Sequence, residues 1–183
     1  MAPSRWTPGL LTVLIALVGV ADAQAPPSPG RDQPTSEVRG LSAKEIDDLL
    51  EGRGMGLARA AELNGYPGPR HVLEAVHANQ LQLSPAQLQS VQALYERMAG
   101  DARRLGEQIL REERALEAAF RHRAITADDL KTRVARLGAL QSELRLVHLH
   151  THLETRARLS DPQVERYNQL RGYSGAAPPA HRH

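Results

Sequence analysis

Three histidines, His148, His150 and His152, alternate with Leu149 and Thr151 in the second half of this 183-residue chain. On a helix, residues four apart project from one face. His148 and His152 can therefore share a divalent ion such as zinc, nickel or copper, while His150 points away. Two imidazoles do not close a site. Glu96, Met98 or Asp101 upstream, or His71, Glu74 and His77 earlier still, are the candidates to complete it. The competing reading is a metal-free imidazole pair, hydrogen-bonded at the edge of a packing seam. Neither reading requires a cofactor for function. His181 and His183 add a weak signal near the C-terminus, more consistent with a disordered tail than with a site.

No catalytic set accompanies these histidines. Serine, histidine and aspartate all occur, but nothing resembles a nucleophile elbow, so the expectation is a protein that is not an enzyme. Gly52, Gly54 and Gly56 fall within five residues, yet no strand precedes them and no lysine-serine follows, which excludes a phosphate loop. They read as a flexible break. Formal net charge is +2, too small for a nucleic-acid footprint.

The elements that position the histidines come from periodicity. Leu88, Val91, Tyr95, Met98, Ala102, Leu105, Ile109, Glu112, Leu116 and Ala119 alternate steps of three and four, which predicts one amphipathic helix from Pro85 to about His122. Gly100 and Gly106 fall off that stripe, where they soften the helix without opening the seam. A short break leads to Thr126, a cap with Asp128 and Asp129 in the first turn behind it. The helix it starts carries Leu130, Val134, Leu137, Leu140, Leu144 and Val147 on one face. A loop this short between long helices implies an antiparallel hairpin. Leu146, Leu149 and Leu153 lie opposite that face, so this end of the second arm needs a further cover: a helix over 71–81, a second subunit, or both. Short helices after Ser42, over 57–63 and after Ser160 flank the hairpin. The fold class is all-α.

Arg5, the apolar run Leu10–Val20 and Ala21-Asp22-Ala23 read as a secretory signal cleaved after Ala23, giving a periplasmic address. Residues 24–40 read as a disordered linker, 41–173 as the helical domain and 174–183 as a disordered tail. The absence of cysteine excludes a disulfide scaffold, and the scarcity of large rings favours thin helical layers over a thick core. Arg103, Arg104, Arg111, Arg114, Arg121 and Arg123 interleave with glutamates as a solvated face or a charged wall.

Two stretches share fixed letters: Leu83-Ser84-Pro85-Ala86-Gln87 and Leu159-Ser160-Asp161-Pro162-Gln163. Serine followed three residues later by glutamine is a capping box, proline is tolerated in the first turn, and the leucine can staple onto Leu88 or Val164. A cysteine-free helical hairpin bracketed by Leu-Ser-x-x-Gln boxes resembles the LTxxQ-motif Spy/CpxP family of periplasmic stress proteins over about residues 71–173. The lead-in from Gly54-Met55-Gly56 through Tyr66-Pro67-Gly68-Pro69 is similar to theirs. Both boxes carry serine where the family has threonine, which preserves the cap. The resemblance implies a cradle-like homodimer acting on unfolded or misfolded envelope proteins as an ATP-independent chaperone, or modulating envelope stress through a sensor kinase's periplasmic domain. It also implies zinc-responsive and nickel/cobalt-sensing relatives, and so a heavy-metal sensor or resistance protein as the alternative.

Overall fold

The structure is a computed structural model describing residues 38–173. The expected signal peptide (1–23), all but the last residues of the expected linker, and the expected tail with His181 and His183 lie outside the described residues. Among the described residues the elements are helices: α1 (Ala43–Leu50), α2 (Arg59–Glu62), α3 (Pro69–His77), α4 (Pro85–Arg121), α5 (Ala127–Arg156) and α6 (Asp161–Arg171).

α4 and α5 form the hairpin. Ser84 starts α4 as the sequence predicts: its hydroxyl accepts from the Gln87 N–H at 3.2 Å and its own N–H donates to Gln87 Oε1 at 3.0 Å. The 37 residues of α4 span roughly 55 Å. Thr126 caps α5 by accepting from the Asp129 N–H. The antiparallel register is marked by ion pairs along the seam, Arg97 with Glu154, Arg104 with Glu143 at 3.9 Å and Arg136 with Glu112 at 2.7 Å.

Two apolar clusters hold the molecule together. The first joins Leu49 of α1 to Ala102, Leu105, Ile109 and Leu110 of α4 and to Leu137, Leu140 and Leu144 of α5. The second, at the base, joins Val72, Leu73 and Ala75 of α3 to Val91, Leu159, Val164 and Tyr167. Tyr167 is fully buried, and its hydroxyl donates to Glu62 Oε1 at 2.6 Å. The tyrosine thereby ties α6 to α2.

Five expectations are corrected. The helix expected over 71–81 runs Pro69–His77, because Pro69 opens it one residue after Gly68 and Asn79, at φ +56°, turns the chain out of it. Leu81 is still buried, as a post-helical residue. Gly52 is no flexible break: it is buried at φ +64°, where an added Cβ would stand 3.0 Å from the Ala99 carbonyl oxygen. Gly106 is not a neutral softener either, since it is buried under the backbone of Leu49. The expected linker's end is structured, with Val38 buried and Arg39 paired with Glu117 at 2.7 Å. Finally, Leu130 and Val134, expected in the buried seam, are exposed near the hairpin tip, because α1 does not reach that far.

Candidate functional site

The late half of α5 turns His148, Thr151, His152 and Thr155 inward, as two pairs each four residues apart. Helices α2 and α3 and the turns beside them cover this face, which is not the side of Leu146, Leu149 and Leu153 for which the sequence predicts a cover. Leu146 and Leu153 remain exposed on the outer side. Both threonine hydroxyls return to the carbonyls one turn back, Thr151 to Val147 and Thr155 to Thr151, each at 2.8 Å. Their polarity is thus satisfied locally, and they leave the histidines as the open chemistry of this face.

A cleft of about 490 Å³ opens here, lined by His148 and His152 of α5, Tyr95 and Met98 of α4, His71 of α3, and Met55 and Glu62 of the lead-in. His152 Nδ1 lies 2.8 Å from the Tyr66 carbonyl oxygen. A carbonyl only accepts, so Nδ1 carries the proton and the neutral ring keeps its lone pair on Nε2. Gly68 passes so close that an added Cβ would meet His152 Cε1 at 2.8 Å. The Tyr66-Pro67-Gly68 turn therefore fixes the ring from two sides.

His148 is more deeply placed, at 3% exposure, and its Nε2 is buried without a hydrogen-bond partner. Burial, then the neighbouring His152, pushes its pKa down to about 4. Burial also lowers that of His152, against the raising effect of the Tyr66 carbonyl. Both imidazoles are consequently neutral at pH 7, the state that binds a metal ion. Such buried nitrogens are costly unless something answers them.

The sequence-predicted residues divide. His148, His152, His71 and Met98 line one cleft, and His150 is exposed beside Glu154. Glu74 and His77 do not line it. Glu74 instead binds His71 Nδ1 at 2.8 Å and Arg70 at 2.9 Å; against the raising effect of burial, these bonds hold its carboxyl below the usual range. Glu96 and Asp101 are likewise absent from the lining. Among the described residues, no three His, Cys, Asp or Glu side chains are grouped to hold a metal ion. Tyr95, Glu62 and the Tyr66 carbonyl were not anticipated.

A second feature lies at the opposite end of the hairpin. Phe120 is 52% exposed, Leu130 36% and Val134 53%, beyond the last buried pair of the seam. Leu116 links this open strip to the first core cluster. Charges of both signs border it, including Arg136 on Glu112 and Arg133 on Asp129 at 2.9 Å. No family model, curated protein or solved structure matches the chain.

Proposed function

We propose that this protein is an exported, periplasmic chaperone of the holdase type, working as a homodimer and without nucleotide. The observation that carries the reading is the uncovered apolar strip of Phe120, Leu130 and Val134 on a long, thin hairpin arm. Exposed apolar residues grouped at one end of a hairpin and rimmed by charge suit weak, reversible burial of unfolded chain. Mixed charge at the rim keeps the arm soluble and lets a client slide without being ordered. The test is aggregation of a chemically denatured client followed by light scattering without ATP, with the oligomeric state read by sedimentation. Suppression at near-stoichiometric protein supports the proposal, and no suppression across a hundredfold concentration range removes it.

The second reading, a periplasmic heavy-metal sensor or resistance protein, is favoured by one observation: His148 Nε2 is buried and unanswered beside His152, whose tautomer is set by Tyr66. Oriented, neutral imidazoles are what a zinc, nickel or copper ion requires, with Met98 and His71 as further donors in the cleft. Calorimetric titration of wild type and His148→Ala/His152→Ala with each ion decides it. Tight binding lost in the double variant supports a site, whereas equally weak binding in both eliminates it.

A further inference from the structure

Helix α1 meets α4 at unusually close range. A Cβ built on Gly106 would stand 2.1 Å from the Leu49 carbonyl oxygen and 2.7 Å from its carbon. Only glycine fits, so Gly106 is what lets the backbone of α1 rest on α4. Leu49 then enters the cluster of Leu105, Ile109 and Leu140, with Leu41 and Ile46 packed against it. Helix α1 thus covers the middle of an apolar face whose far end, at Phe120 and Val134, is open.

The polar groups of α1 are answered within its own segment. Ser42 and Glu45 cap each other, and Asp48 binds Lys44 and, at 3.0 Å, Arg53. Lifting α1 off α4 therefore strands no buried charge. Arg39 does reach across to Glu117, but Arg121 lies 3.6 Å from the same carboxylate and remains when Arg39 leaves. Eight residues are also too few to sustain a helix alone in water, so α1 depends on this contact for its order. A short segment with apolar attachment and a self-contained charge network is built to detach as a unit.

We propose that α1 is an internal occupant of the client-binding face, and that clients bind by displacing it. The partner this face fits is then a short amphipathic segment like α1 itself, with apolar residues three or four apart and its bare backbone against Gly106. The inference rests on the chaperone reading and adds the client class and an autoinhibitory contact.

The experiment is hydrogen exchange on the full chain with and without a chemically denatured client, alongside the aggregation assay on wild type, Gly106→Ala and Ile46→Ser. The expected result is several-fold faster exchange at the α1 amides when client is added. Ile46→Ser, which weakens the seating of α1 and alters no residue of the hairpin itself, should suppress aggregation at several-fold lower concentration. Gly106→Ala should do the same if it folds, and the wild-type exchange result stands without it. Suppression accompanied by unchanged or slower α1 exchange overturns the displacement while leaving the chaperone reading intact. Absence of suppression in every form overturns both.

Discussion

The side-chain amides of Gln87 and Gln163 hydrogen-bond each other in both directions, at 2.9 and 3.1 Å, although 76 residues separate them. Each is the glutamine of a capping box. Gln87 Oε1 also accepts from the Ser84 N–H, and its Nε2 also donates to the Arg158 carbonyl at 2.8 Å. Gln163 Oε1 accepts from the Ser160 N–H at 2.9 Å, and its Nε2 donates to the Gln82 carbonyl at 2.9 Å. Both amides therefore use two acceptor positions and two donors, the full capacity of the group. The two helix starts are stitched into one corner.

Glutamate at this corner should fail where glutamine succeeds. Gln87→Glu keeps the cap to Ser84 but loses both donations, and it turns a carboxylate oxygen toward the Arg158 carbonyl and Gln163 Oε1. The expected loss is about 1–3 kcal/mol, seen as a lower urea midpoint at pH 7 with an unchanged m-value. Lowering the pH enough to protonate the glutamate should recover part of it relative to wild type, because the acid regains one donor.

Stability should fall on mild acidification because of His148. Its folded pKa, about 4, lies below the ordinary 6.5, so between those values the unfolded chain takes up a proton that the folded chain refuses. The histidine contribution is complete above pH 6.5 and lost as pH falls toward 4, at up to about 1.4 kcal/mol per pH unit for one group. His152, also lowered, adds in the same direction. Urea midpoints at pH 7, 6 and 5 should drop for wild type and stay nearly flat for His148→Gln/His152→Gln. An equal slope in both proteins contradicts the assignment.

Removal of one hydroxyl should loosen the cover of the cleft. Tyr167 and Tyr173 both donate to Glu62, at 2.6 and 3.3 Å. Burial and the Glu62 carboxylate hold the Tyr167 hydroxyl well above its usual pKa, so it stays protonated. Tyr167→Phe preserves the ring's packing and deletes the shorter bond, for an expected cost of about 1.5–3 kcal/mol. Hydrogen exchange should rise at α2 and α6 more than at α4.

The legible parts of this fold are those set by local rules. Steps of three and four gave α4 almost to the residue, and Ser84, Thr126 and Ser160 marked three helix starts. A capping box uses only half of the glutamine amide, so its sequence says nothing of the partner that takes the other half; the Gln87–Gln163 pair needs the tertiary fold. Periodicity likewise names an apolar face without saying whether anything covers it, which is why Leu130 and Val134 read as buried and stand exposed. Gly106 looked incidental because its role depends on α1, a helix 56 residues earlier in the chain. At the cleft, helical spacing found the His148–His152 pair, but the Tyr66 contact is made by a backbone carbonyl and has no side-chain signature. The glycine at position 68, inside a turn-rich stretch, was the available hint.

The central claim is that the open hairpin tip captures unfolding chain, and light scattering tests it most directly. Wild type and Phe120→Ser/Leu130→Ser/Val134→Ser are mixed without nucleotide with a chemically denatured client, at equal helicity by circular dichroism. Phe120, Leu130 and Val134 lie outside the buried clusters, so the triple variant should fold normally. Wild type should suppress aggregation near one-to-one stoichiometry, and the triple variant should need at least tenfold more protein. Equal suppression by both, or none by either, contradicts the claim.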